Sequence, residues 1–194
     1  MYKIRIIFIG VTLIIALSVF WGCNKKYTPK PRGYFRIDLP EKEYQQYTSD
    51  APYIFDYPVY CQVNEDNSVN SEKYWINIEY PAFDAKIHIS YKDVNNNIGQ
   101  ILEDTRKLTY KHTIKADAIA EKLFIKPEKK VYGILYEVEG DAASSVQFFL
   151  TDSTNHYLRG ALYFNSEPNK DSLAPVLTFI KQDITELMES FEWK

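Results

Sequence analysis

Residues 171–194 read DSLAPVLTFIKQDITELMESFEWK and carry the clearest periodic pattern in the chain. Apolar side chains recur there at helical spacing, at Leu173, Val176, Leu177, Ile180, Ile184, Leu187, Met188 and Phe191. This spacing predicts an amphipathic helix whose single wide apolar stripe covers the face of a sheet. Asp171 or Ser172 can cap the helix, and Pro175 falls in its first turn, where a missing amide hydrogen costs little.

Four short stretches before this helix alternate between apolar and polar residues. They are EKLFIK (121–126), VYGILYEVEG (131–140), SVQFFLTD (145–152) and HYLRGALYFN (156–165), joined by PEKK, DAAS and STN. Such alternation is typical of strands that are buried on one side, and short turns connect antiparallel neighbours. We therefore expect a run of hairpins in this part of the chain.

The first half of the chain also alternates, in YIFDYPVYCQV (53–63), KYWINIEY (73–80) and DAKIHISYK (84–92). A polar loop, residues 64–72, separates the first two stretches, and residues 81–84 form a short turn before the third. Asn97 then opens a helix of about three turns, and the link at 113–121 is less clear. This order predicts an α+β fold, a mostly antiparallel sheet packed by helices.

Composition and charge indicate a globular domain. The chain has 194 residues, enough for one domain with a sizeable core, and its 16 tyrosines favour half-buried strands. The formal net charge is −3, and without residues 1–22, which contain Lys3 and Arg5, it is −5. These values indicate no basic face for nucleic acid.

The N-terminus has the layout of a secretory signal. Lys3 and Arg5 precede the uncharged stretch 6–22, and Cys23 follows the small residue Gly22. This arrangement resembles a bacterial lipoprotein signal, which implies cleavage after residue 22 and acylation of Cys23 by a diacylglyceryl group and a fatty acid such as palmitate. The segment Phe20–Trp21 departs from the Leu and small residue usual before such a cysteine. The alternative is an uncleaved anchor followed by an incidental cysteine.

A basic stalk follows, because residues 24–33, NKKYTPKPRG, contain four cations and two prolines, which favour extended backbone near anionic head groups. Alternatively, residues 30–40 run back along the domain as an edge strand. We therefore divide the chain into a signal peptide (1–22), a lipidated N-terminus with its stalk (23–33) and a single α+β domain (34–194).

After lipidation of Cys23, Cys61 is the one cysteine left, so no intrachain disulfide is predicted. We expect the Cys61 thiol to pack as a small hydrophobic side chain in a strand.

Enzyme signatures are not evident. The sequence has no GxSxG, no HExxH and no glycine-rich phosphate loop, and the pattern predicts bystander roles for His88, His112 and His156. The oxygen-bearing residues of the loop 66–72 are spaced like a calcium loop but lack its glycine and distant glutamate, so we expect a polar loop. No catalytic residue, cofactor site or metal site is predicted.

Five tyrosines leave two interpretations open. They form either an aromatic surface that binds glycan or a partner protein, or part of the core and its rim. These residues are Tyr44, Tyr47, Tyr53, Tyr57 and Tyr60.

Three stretches carry a family resemblance. YTPKPRGYFRIDLPEKEY (27–44), YWINIEYPAFDAKIHISYK (74–92) and LRGALYFNSEPNKDSLAPVLTFIKQDITELMESFEWK (158–194), together with Cys23, resemble the gliding-motility lipoprotein family GldD of Bacteroidetes. The resemblance implies a noncatalytic envelope lipoprotein needed for gliding, linked to the machinery shared with type IX secretion. Only Cys23 transfers as a site. The order of elements is also similar to the Mog1/PsbP-like sandwich.

Two functions follow as expectations. The first is a membrane-anchored interaction or assembly component, held to the bilayer through acylated Cys23, with other gliding-machinery proteins as partners and neither nucleic acid nor small-molecule substrate. We expect a location on the outer membrane, and the lack of an acidic run directly after Cys23 favours facing the periplasm over display on the cell surface. The alternative is a periplasmic glycan-binding protein or hydrolase that uses a tyrosine-rich surface.

Overall fold

The structure, a computed structural model, describes residues 37–111, 116–140, 142–165 and 170–194. Residues 37–194 belong to one compact unit. In chain order, the strands formed by the described residues are β1 (Tyr44–Tyr47), β2 (Tyr53–Pro58), β3 (Gln62–Glu65), β4 (Ile76–Tyr80), β5 (Ala85–Asp93), β6 (Ala116–Lys126), β7 (Val131–Gly140), β8 (Val146–Thr151), β9 (His156–Phe164) and β10 (Glu192–Trp193). The helices are α1 (Ile98–Lys111), between β5 and β6, and α2 (Lys170–Ser190), between β9 and β10.

The strands form two antiparallel sheets. A seven-stranded sheet has the order β3-β4-β5-β9-β8-β7-β6, and a three-stranded sheet has the order β1-β2-β10. The expected hairpins from β6 to β9 are present, because each of these strands pairs with the next. The pairing of β5 with β9, in which Ala85 lies opposite Phe164, joins the two halves of the chain.

The seven-stranded sheet is covered on both faces. Alternate residues of β8 face opposite sides, so Phe148 and Leu150 lie in the main core with α2, whereas Phe149 lies in a second core with α1. All six residues of β8 are buried as a result. The main core also receives β2 of the small sheet, through Tyr53 and Phe55.

The stretch 53–63 forms two strands, which corrects the expectation of one. The chain turns after Pro58, where the Cys61 amide donates to the Pro58 carbonyl at 3.0 Å. As a result, β2 lies in the small sheet and β3 lies in the large one. A backbone hydrogen bond closes this turn. The alternation of apolar and polar side chains continues through it, so the sequence pattern does not show where the first strand ends.

Helix α2 matches the predicted stripe, because Ile180, Ile184 and Leu187 are buried. Its start differs from the expectation. The described helix already includes Lys170, so Asp171 and Ser172 lie within it rather than at the cap, and Pro175 lies beyond its first turn. Proline there removes the amide that would bond back to residue 171.

The N-terminal predictions fall mostly outside the described residues. The signal (1–22), Cys23 and the stalk (24–33) are not described, so cleavage and acylation stay predictions. Of the alternative edge strand at 30–40, the described part, residues 37–40, is not a strand. No helix within the described ranges is long and apolar enough to cross a membrane.

Candidate functional site

A buried ion pair fastens the segment before β1 to helix α2. The Lys42 ammonium donates to the Asp183 carboxylate at 2.5 Å and to the Phe179 carbonyl at 2.8 Å. The hydroxyls of Tyr44 and Tyr60 donate to the same carboxylate, at 3.0 and 2.8 Å. We call Lys42, Tyr44, Tyr60 and Asp183 the Asp183 cluster. The cluster supplies hydrogen-bond donors to a carboxylate whose side chain is fully buried. Without such partners, burial of the charged group would cost much free energy.

The environment of the Asp183 cluster also shifts the pKa of its two tyrosines. Burial, followed by the hydrogen bond to Asp183, raises the pKa of both Tyr44 and Tyr60 above the ordinary range. Both phenols are therefore neutral hydrogen-bond donors at physiological pH. The cluster connects the segment before β1 with α2 through these hydrogen bonds.

Asp183 was not predicted from the sequence, although the helix pattern contains the necessary signal. Asp183 lies within the apolar stripe of α2, between Ile180 and Leu187. A carboxylate on a buried helix face requires a cationic or donor partner. The partner could not be identified in this way, because Lys42 lies 141 residues away.

Cys61 lies near the Asp183 cluster as a buried thiol. Burial, and then the negative charge of Asp183, raises the pKa of Cys61 from 9.0 to about 12. A thiol is a nucleophile only when ionised, so this environment opposes catalysis by Cys61. The predicted role as a small strand hydrophobe fits its burial, although it lies in the turn after β2.

The five tyrosines considered as an aromatic shelf belong to the core and its rim. Tyr53 is fully buried and donates to the Tyr74 carbonyl at 2.6 Å. Tyr47 stacks on Phe55 with 5.0 Å between ring centroids, and Tyr57 contacts the same ring edge-on. Since Tyr44 and Tyr60 bind Asp183, these rings do not form an open platform.

The described histidines make structural contacts. His88 points away from the main core, as predicted, and its Nδ1 lies 3.0 Å from Asn77 Oδ1. Burial lowers the pKa of His88, which favours the neutral ring. His156 stacks on Trp193 at 5.2 Å and contacts the Tyr91 hydroxyl. His112 lies outside the described residues.

The polar loop with calcium-like spacing is held by its own side chains. Ser68 donates to Asp66 through both its amide and its hydroxyl, at 3.3 and 2.8 Å. Glu72 faces the Lys92 ammonium at 3.4 Å. Within the described part of the chain, no three His, Cys, Asp or Glu side chains are grouped to hold a metal ion.

A polar groove of about 630 Å³ lies beside α1 and combines charges of both signs. Its carboxylate Asp104 accepts from Gln100 at 2.9 Å. Arg159 donates to the buried Gln147 at 2.5 Å. Neither Cys61 nor His88 lines this groove. The nucleophile and the histidine considered from the sequence are therefore not placed beside a cavity of substrate size.

An apolar groove of about 420 Å³ lies between α2 and the outer strands β6 and β7. We call it the β6 groove. Phe124, Leu135 and Met188 line it, and Lys122 and Lys181 lie at its border with Glu137. The sequence predicts the strands and the helix that form this groove, but not their proximity.

A solved structure is similar to the chain over most of its length. The chain is similar to the solution structure of cyanobacterial PsbP (CyanoP) from Synechocystis sp. PCC 6803, with 10% identity and a TM-score of 0.47. The similarity covers 85% of this chain and 100% of that chain. The predicted α+β class, with antiparallel sheets packed by helices, is confirmed by the arrangement of strands and helices in the structure. No curated protein matches the chain.

The fold and the site define a small α+β domain in which Lys42, in the segment before β1, binds α2, and in which an apolar groove lies along a sheet edge. The family described as gliding motility lipoprotein GldD matches residues 24–193. The chain belongs to this family, as its sequence motifs indicated. Membership makes it a lipid-anchored protein of the cell envelope connected with gliding motility.

Proposed function

We propose that this protein is a noncatalytic lipoprotein that acts as an interaction or assembly component of the gliding and type IX secretion machinery. The signal 1–22 is removed, Cys23 carries the acyl chains, and the domain faces the periplasm from the outer membrane. Its partners are other envelope proteins of the machinery.

The observation that carries this proposal is the Asp183 cluster. Lys42 follows Cys23 by only 19 positions and binds Asp183 in the core. Fully extended, the chain from Cys23 to Lys42 spans at most about 65 Å, so the lipid keeps the domain close to its membrane. The ion pair joins the chain that follows the stalk to α2. Such a connection suits a component whose function depends on its fixed position at the membrane.

The environments of the candidate catalytic groups support the noncatalytic part of the proposal. The Cys61 thiol is buried with a raised pKa, and the Asp183 carboxylate is enclosed by three donors. A catalytic nucleophile requires the opposite conditions, an activated group with access to substrate. These groups instead stabilise the fold.

The test compares the two cysteines. We expect mass spectrometry of the natural protein to show an acylated Cys23 as the first residue. Cys23→Ala yields a folded protein that no longer sediments with membranes, and the cells lose gliding and type IX secretion. Cys61→Ala is the matched control, which keeps acylation, membrane location and gliding.

Two results would contradict the proposal. One is an unmodified sulfur at position 23 with residues 1–22 still attached. The other is normal gliding by cells that produce only the unanchored Cys23→Ala protein.

A further inference from the structure

Strand β6 is an edge of the seven-stranded sheet. It pairs with β7 on one side and has no strand among the described residues on the other. Leu123 is 73% exposed and Ile125 is 53% exposed. Both lie on the sheet face away from α2, because Phe124 between them packs against the main core and Ile119, on their own face, packs in the second core. A long edge strand with exposed apolar side chains is a template for pairing with another extended chain.

The opposite face of β6 carries charge. Lys122 and Lys126 alternate with the apolar pair and therefore face α2, on either side of Phe124. Lys126 is neutralised by Glu189 at 2.8 Å. Lys122 shares its partner, because Glu137 also binds Lys181.

The shared carboxylate leaves the β6 groove with excess positive charge. Glu137 lies 2.6 Å from the Lys122 ammonium and 2.7 Å from the Lys181 ammonium. Burial raises the pKa of Glu137, but the hydrogen bonds from both lysines outweigh it, and the pKa falls below its ordinary value. One carboxylate therefore faces two ammonium groups, and Lys122 remains 61% exposed.

We propose that β6 accepts an extended segment of a partner protein as an additional strand, and that this segment alternates apolar with acidic side chains. The apolar side chains cover Leu123 and Ile125 on one face. The acidic side chains lie beside Lys122 and the β6 groove on the other face. Backbone hydrogen bonds supply affinity, and the alternation supplies specificity.

A second copy of this chain fits the edge less well. A twofold pairing of β6 with β6 keeps each residue on its own face, so the lysines of both copies share the α2 side. That arrangement adds positive charge to a groove that already has an excess, and like charges across a strand pair are unfavourable. The charge pattern thus favours an acidic partner.

This inference rests on the proposed function, since it names how the interaction component binds. The probe is a short peptide of alternating valine and glutamate, added to the full lipidated chain in detergent micelles. Fluorescence anisotropy measures its affinity, and hydrogen exchange with mass spectrometry locates the protected amides. We expect binding with protection confined to β6 and the neighbouring β7.

Three controls separate strand addition from other binding. A peptide of valine and lysine should bind at least about tenfold more weakly, because it places ammonium groups beside Lys122. The valine–glutamate peptide with alternate N-methylated amides should not bind, since it cannot form the strand ladder. Lys122→Glu should reverse the preference between the two unmodified peptides.

Variants of the apolar face complete the test. Leu123→Asp should weaken binding by at least about tenfold, because a carboxylate replaces the apolar contact surface. Leu108→Asp is the matched control, since Leu108 is a 44% exposed leucine on α1 beside the polar groove. It should leave binding unchanged, and both variants keep the fold because their side chains are exposed.

The proposal is overturned if no peptide protects β6, if both charged peptides bind equally, or if β6 becomes protected by self-association at rising protein concentration. Any of these results leaves acylation of Cys23 and its effect on gliding unaltered. Failure of the strand-addition proposal is therefore distinguishable from failure of the proposed function.

Discussion

The Lys42 ammonium lies 2.5 Å from the Asp183 carboxylate and connects the segment before β1 with the middle of α2. The Lys42 side chain is 25% exposed, whereas that of Asp183 is fully buried. Asp183 therefore depends on its partners more than Lys42 does. This asymmetry determines what each substitution of the pair should cost.

Removing Lys42 should destabilise the domain strongly. In Lys42→Met, the hydroxyls of Tyr44 and Tyr60 are the donors that the described residues still offer to the buried carboxylate. We expect the free energy of unfolding in urea to fall by about 2–4 kcal/mol, somewhat less than the roughly 3–5 kcal/mol typical of a fully buried pair, because Lys42 is 25% exposed. The double substitution Lys42→Met with Asp183→Leu should recover part of this loss.

The matched control for Lys42 is Lys107→Met on α1. Lys107 lies 3.6 Å from Glu103 in an exposed pair, so its loss should cost less than about 0.5 kcal/mol. If Lys42→Met costs no more than Lys107→Met, the Asp183 cluster does not fasten the N-terminal segment.

Cys61 should be nearly inert in the folded protein. In a Cys23→Ala background Cys61 is the single thiol, and we expect it to react with a disulfide reagent at least about a hundredfold more slowly than in urea. Burial and the raised pKa both lower the accessible thiolate. Rapid labelling of the folded chain near neutral pH would show an open, activated thiol instead.

The same thiol makes stability depend on alkaline pH. The pKa of Cys61 is raised from 9.0 to about 12 on folding, so the unfolded chain loses this proton first. The corresponding stability is complete below pH 9 and is lost as the pH rises toward 12. Cys61→Ala should reduce this loss, and the difference between the two proteins isolates the thiol from the tyrosines.

Gly160 in β9 provides the space for the Phe148 ring. A Cβ at position 160 would lie 2.2 Å from that ring, which occupies the main core. We expect Gly160→Ala to lower the free energy of unfolding by about 2–3 kcal/mol through overpacking.

Gly99 of α1 is the matched control for Gly160, because a Cβ added at position 99 would meet open space, with nothing within 4 Å. Gly99→Ala should be neutral or stabilising by up to about 1 kcal/mol, since alanine favours helix. Equal losses for both variants in urea unfolding would contradict the packing explanation.

Local pattern in the sequence determined most of the secondary structure. The apolar stripe on α2 and the alternation from β6 to β9 depend on residues a few positions apart, so they can be recognised from the sequence alone. Cys23 and the stretches 27–44, 74–92 and 158–194 were sufficient to indicate the family.

Only the tertiary structure decided which elements meet. The turn after Pro58 separates β2 from β3, and the pairing of β5 with β9 leaves β6 at the edge of the large sheet. Lys42 and Asp183 meet across most of the chain, and several tyrosines become core or rim through partners distant in sequence, such as Asp183 for Tyr44 and Tyr60. Such contacts depend on long-range closure and burial, which local periodicity does not encode.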